Sequence, residues 1–159
     1  MNLSSDYEEL FKTFAKHKVK YLVIGAYAVI YYTEPQHTKD IDIWVKPDKE
    51  NAEKVFAALA EFGAPLINID VNYFTQKNMM YQIGVAPVRI DILMGVEGLD
   101  FDICYRKREK VEYGNLMVDF VDISSLIKAK TISKRDKDKT DIPKLRKVKN
   151  KQKNGGKEL

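Results

Sequence analysis

Residues 40–45 read Asp-Ile-Asp-Ile-Trp-Val, and this alternation constrains the fold more than any other stretch of the chain. A period of two is that of a β-strand, whose successive side chains point to opposite faces. Ile41, Ile43 and Val45 therefore share one face, and Asp40, Asp42 and Trp44 share the other. An unpaired carboxylate buried among apolar groups is costly. The strand must have one face in the core and another that meets water, a counter-ion or a ligand.

The remaining segments supply elements around it. Residues 4–18 predict an amphipathic helix, capped by Ser4 or Ser5, with Leu10, Phe11 and Phe14 as its apolar stripe. YLVIG (21–25) predicts a short buried strand stopping at Gly25, residues 26–32 a short helix, and TEPQHT a loop. Asp48 caps a helix over about 49–62 that Gly63 ends, while residues 64–78 carry no clear pattern. Strands follow at MYQIGV and VRIDILM, with Ala86-Pro87 as their turn, then a short helix within 100–107. EKVEY and LMVDFV flank Gly114-Asn115 as a hairpin. Ser124 or Ser125 opens a helix to about residue 134, and Pro143 falls in a last basic segment. From about Asn150 the composition is Lys, Asn, Gln and Gly, which predicts disorder. The order predicts an α/β (α+β) fold with a mixed sheet flanked by helices, one domain over 1–149 and a disordered basic tail over 150–159.

Composition excludes several classes. The single cysteine, Cys104, permits neither an intrachain disulfide nor a multi-cysteine zinc site. No apolar run approaches the length of a membrane span, and the N-terminus is polar and acidic where a signal peptide would be basic and then apolar. A cytoplasmic location is expected. The net charge of +4 conceals an asymmetry: residues 1–127 carry 14 Lys and Arg against 19 Asp and Glu, and residues 128–159 carry 13 against 4. The basic end is either a solvated, solubilising segment or an arm for a polyanion.

Asp40 and Asp42 lie on one strand face, and such close carboxylates repel unless a cation sits between them. Mg²⁺ or Mn²⁺, hard ions that take carboxylate oxygens, suit the pair. Asp91, between Ile90 and Ile92, occupies the same kind of setting. If its strand neighbours 40–45 in register, three carboxylates converge. Gly25 ends a strand and precedes a helix, where free N–H groups favour a phosphate. A phosphate cradle beside clustered carboxylates is equipment for phosphoryl or nucleotidyl transfer.

IGAYAVIYYTEPQHTKDIDIWV (24–45) resembles the signature of the minimal nucleotidyltransferases of the DNA polymerase β superfamily. There a glycine opens a short helix, a Thr-containing loop leads to Asp-x-Asp on a strand, and a third acid follows on a nearby strand. Gly25, Thr38, Asp40 and Asp42 match these positions, and Asp91 matches the third acid. SSLIKAKTISKRDKDKTDIPKL (124–145) resembles the late segment of the toxin-like and abortive-infection branch, with Lys130, Arg135, Asp138 and Asp141 at its basic and acidic positions. The resemblance implies a nucleotidyltransferase fold and transfer of a nucleoside monophosphate from an NTP to an acceptor hydroxyl. It implies two Mg²⁺ or Mn²⁺ ions on Asp40, Asp42 and Asp91, and nucleotide binding by Gly25, Ala26, Thr38 and Lys130. Ala26 departs from the usual Gly or Ser, and Gln36 stands where many members have arginine.

The acceptor is open between RNA, with tRNA leading because of the basic tail, and a protein or small molecule. Two further readings stand beside the enzyme: a non-catalytic nucleotide- or RNA-binding member paired with an antitoxin, and a metal-dependent phosphohydrolase, for which histidines are scarce. Asp70 is expected to cap a turn, His17 to complement a helix dipole and His37 to lie on a surface loop. Tyr27, Tyr31 and Tyr32 are expected to pack into the core, and Trp44 either to wall the site or to pack beneath a loop.

Overall fold

A strand that buries Ile41, Ile43 and Val45 needs apolar neighbours on both edges, and the chain provides them. A computed structural model describes residues 5–33, 40–85, 88–133 and 135–158. The elements run α1 (Ser5–Lys16), β1 (Tyr21–Ile24), α2 (Gly25–Tyr32), β2 (Asp40–Val45), α3 (Lys49–Phe62), β3 (Met80–Val85), β4 (Val88–Leu93), α4 (Phe101–Arg106), β5 (Glu109–Tyr113), β6 (Leu116–Phe120), α5 (Ile123–Ser133) and α6 (Asp136–Glu158). The six strands form one mixed sheet in the order β3-β4-β2-β1-β6-β5. β2 pairs antiparallel to β1 and parallel to β4, and β1 pairs parallel to β6.

Alternation fixes which face is which. Val23, Ile41, Ile43, Val45, Ile90 and Ile92 join Leu10, Phe11, Phe14, Val55 and Leu59 from α1 and α3 in the main core. A one-residue slip of β2 would expose both isoleucines and bury both aspartates, forfeiting about 1.5–3 kcal/mol for each aliphatic side chain lost from the core. On the opposite face Leu22 and Trp44 pack with Phe101 and Cys104 of α4 in a second, smaller apolar cluster. That cluster covers only the Trp44 end of β2.

Local signals set the boundaries. Asp48 caps α3, its carboxylate accepting from Asn51 N at 2.8 Å, and Gly63 ends it at φ +95°. Asn51 is buried and fully used: it accepts from Lys20 N and donates to the carbonyls of Lys20 and Lys46, tying α3 to the ends of β1 and β2. Within the ambiguous 64–78 stretch, Val71–Thr75 forms a 3-10 turn with Asp70 as its cap. Tyr32 donates to the Glu109 carboxylate and lies 2.7 Å from the Val121 carbonyl oxygen, which anchors α2 across the sheet. The last helix, α6, runs from Asp136 to Glu158 with Pro143 in its interior. Its Leu145 is fully buried and Val148 packs on the core, giving the amphipathic support that composition alone did not reveal. The Ala86-Pro87 step and the 34–39 loop lie outside the described residues. No described helix is long and apolar enough to cross a membrane.

Candidate active site

The site is built where the apolar cover of the sheet stops. β2 and β4 run in parallel with Asp42 opposite Asp91 and Asp40 opposite Arg89. Side chains two apart share a face, so these four groups and Trp44 all project from the side away from the main core. Asp91 is 4% exposed, and its Oδ2 accepts from Arg89 Nη2 at 3.1 Å. Its Oδ1 is buried with no hydrogen-bond partner. The Asp42 carboxyl lies within hydrogen-bonding reach of Asp91 and is pushed up to about 6, first by burial and then by the charges of Asp91 and Asp40.

Asp40 meets a cation of the protein itself. Its Oδ2 pairs with Arg89 Nη2 at 3.0 Å, so one guanidinium nitrogen bridges Asp40 and Asp91. Two carboxylates converge directly and the third is held through an arginine. Accordingly, among the described residues no three potential ligands form a ready metal cage. The donor chemistry nonetheless suits a hard divalent ion at Asp42 and Asp91: an orphaned carboxylate oxygen lies beside a carboxyl whose charge is opposed by its neighbours.

Gly25 explains itself by space as well as by torsion. Its φ is +69°, and a β-carbon there would overlap Oδ2 of Asp42. The backbone that opens α2 therefore lies directly against the Asp42 carboxylate. Ile24 precedes the helix without a side-chain cap, leaving first-turn N–H groups of α2 without that partner. Gly25, Ala26, Asp40, Asp42 and Asp91 line one cavity of about 600 Å³.

Lys130, Ser133, Arg135 and Asp138 line the same cavity. Lys130 is 7% exposed, and its Nζ bridges Asp138 Oδ1 at 2.9 Å and Asp141 Oδ2 at 3.1 Å, joining α5 to α6. Burial opposes the Asp138 charge, but bonds from Ser133 and Lys130 outweigh it and hold that carboxyl below its ordinary value. Lys130 is thus first a partner of two buried acids. Arg135 is largely exposed, 3.5 Å from Asp138 Oδ2, and its charge partly offsets the rise at Asp42. Thr38, like Gln36, His37 and Lys39, lies outside the described residues.

Other expectations resolve simply. His17 meets Glu61 at 3.1 Å, Tyr31 and Tyr32 pair with Glu109, and Tyr27 packs edge-on to Tyr7. Trp44 lines a neighbouring cavity of about 500 Å³ whose wall at Gly95–Glu97 it shares with the acidic one. Sequence reasoning placed Arg135 at a basic position of the late segment but gave Arg89 no role. For Arg89 a signal was present, since it sits two residues before Asp91 on the same strand face.

No family model matches the chain, and no curated protein matches it by sequence. Solved structures do. The lincomycin-bound lincosamide antibiotic adenylyltransferase LnuA superposes with a TM-score of 0.60 at 15% identity, over 93% of this chain and 99% of that one. TM1012 of Thermotoga maritima, a nucleotidyltransferase candidate, superposes with a TM-score of 0.58 at 16% identity, over 91% of each chain. The architecture is that of the nucleotidyltransferase fold.

Proposed function

We propose that the protein is a metal-dependent nucleotidyltransferase that moves a nucleoside monophosphate from an NTP to an acceptor hydroxyl. The observation that carries this reading is the pairing of Asp42 with Asp91 across β2 and β4, directly against the backbone of Gly25 at the start of α2. Fold likeness supports it, but the chemistry is argued from the residues. One domain over 1–149 carries the activity in this reading.

Asp42 and Asp91 would hold one Mg²⁺ or Mn²⁺ ion, and Asp40, once released from Arg89, would join them around a second. Bound there, the ions supply charge neutralisation at the phosphates and a lowered pKa for the attacking hydroxyl. Gly25, Ala26 and the first-turn N–H groups of α2 cradle the triphosphate, and the resemblance assigns Thr38 to the same task. Arg135, and Lys130 through whatever donor capacity its two carboxylates leave, present positive charge from elsewhere on the cavity wall. The acceptor oxygen bonds to the α-phosphorus as the bond to pyrophosphate breaks. The Asp91 carboxylate takes the hydroxyl proton through the oxygen that the ion would leave open.

We place the chain in the toxin-like branch on its 124–145 segment, which leaves an antitoxin partner as part of the proposal. The acceptor we favour is RNA, tRNA foremost, because α6 exposes Lys144, Arg146, Lys147, Lys149, Lys151 and Lys153. Incubating the protein with each α-labelled NTP, Mg²⁺ and cell extract tests all of this. Label should pass to a nuclease-sensitive acceptor with pyrophosphate release, and the Asp40→Ala/Asp42→Ala protein should transfer none. A protease-sensitive product would move the acceptor to protein. No transfer with any NTP, together with no rise in Tm on adding Mn²⁺ and NTP, would refute the enzyme.

A further inference from the structure

We propose that Arg89 is a resident counter-ion of the acidic site, and that nucleotide must draw it away before Asp40 can take a metal. Divalent-ion binding is thereby coupled to NTP binding. The inference rests on the nucleotidyl-transfer reading above and adds to it the residue that controls order of entry.

The geometry is specific. Arg89 is the β4 register partner of Asp40 and shares a strand face with Asp91 two residues later. Nη2 lies 3.0 Å from Asp40 Oδ2 and 3.1 Å from Asp91 Oδ2, so one positive group already occupies the gap between two of the three acids. A divalent ion bound at the same oxygens would meet that guanidinium as a like charge. The two cations therefore exchange rather than coexist.

Arg89 is also poised to leave. Its side chain is 36% exposed, it lines the cavity, and its Nε is buried without an acceptor, so its present bonding is incomplete. A guanidinium offers parallel N–H groups that match phosphate oxygens in a two-pronged contact. A triphosphate entering beside Gly25 would bring anionic oxygens for Arg89 together with the metal that replaces it at the aspartates. Metal without nucleotide has no such compensation, and nucleotide without metal leaves the carboxylates unneutralised. Meanwhile the backbone of Arg89 stays fixed, its carbonyl accepting from Tyr7 Oη at 3.0 Å.

The test is Mn²⁺ binding to the full-length chain, read from the paramagnetic resonance of free Mn²⁺. It is run with and without the α,β-methylene analogues of ATP, GTP, CTP and UTP in turn. Wild type should bind Mn²⁺ alone weakly and at least tenfold more tightly with the preferred analogue. Arg89→Met should bind Mn²⁺ alone at least tenfold more tightly than wild type and lose most of the enhancement by nucleotide. Arg89→Lys, which keeps the charge, should stay within about threefold of wild type. If folded Arg89→Met gains nothing for Mn²⁺ alone while wild type binds the Mn²⁺–nucleotide pair, the counter-ion role is overturned and the enzyme reading survives. If no analogue and no Mn²⁺ binds to either protein, both fall together. A second measurement uses wild type only: the ¹⁵Nε side-chain resonance of Arg89, assigned with Arg89→Lys, should move when Mg²⁺ and analogue are added together and stay in place with Mg²⁺ alone. No movement with both present would overturn the proposal, even if Arg89→Met fails to fold.

Discussion

Replacing Asp42 by Asn should make the protein more stable, and only above a certain pH. The Asp42 carboxyl rises from an ordinary 3.8 to about 6 because burial and the neighbouring acids oppose its charge. A raised carboxyl pKa means that the folded state holds the proton more tightly than the unfolded chain. Below pH 3.8 the group is protonated in both states and costs nothing. As pH climbs towards 6 the penalty for ionising it in the fold grows, and above 6 it is complete. A shift of about two units corresponds to a ceiling of about 3 kcal/mol, which partial exposure and screening lower to about 1–2 kcal/mol. An amide of the same shape avoids the penalty and can donate to the Asp91 carboxylate within its reach. Urea denaturation without metal or nucleotide should show Asp42→Asn more stable than wild type by about 1–2 kcal/mol at pH 7.5, with the gain gone by pH 4. A variant no more stable than wild type at pH 7.5, or a gain that persists unchanged at pH 4, would refute the electrostatic account of this site.

Two further substitutions probe its frame. Gly25→Ala should lower stability by about 1–2 kcal/mol from left-handed backbone alone, and more from the overlap with Asp42, with a falling urea midpoint and loss of the metal–nucleotide Tm shift. Lys130→Met leaves Asp138 and Asp141 buried without their shared cation and should cost about 3–5 kcal/mol. Adding Asp138→Asn and Asp141→Asn to it should restore most of the loss, whereas no recovery would show that packing rather than charge sets the cost.

The sequence was legible wherever an interaction is local. Alternation at 40–45 exposed the strand and its two faces, Asp48 and Gly63 bounded α3, and Gly114-Asn115 placed the hairpin. The α/β architecture followed from that order of elements. Long-range pairing decides the rest. Whether Asp40 meets a metal or an arginine depends on β2 and β4 lying parallel across an intervening helix, which no spacing rule encodes. The role of Lys130 turned on two aspartates supplied by α6, the next helix in the chain. Composition in the last basic segment could not reveal the amphipathic face of α6, because the contacts of Leu145 and Val148 that form it are tertiary.

The strand order has a consequence for how the chain emerges from a ribosome. The two inner strands, β1 and β2, are complete by residue 45, yet their outer neighbours come from residues 88–93 and 116–120. A nascent chain thus carries two open strand edges until the first of these arrives, and one until the second. All three aspartates are synthesised by residue 91, which suggests an N-terminal fragment as a convenient binding unit. Such a fragment would lack β6 against β1, the Glu109 and Val121 anchors of Tyr32, and the wall of the cavity supplied by α5 and α6. Its acids would be present and their setting absent, so a fragment that keeps the proposed site whole must reach past α5.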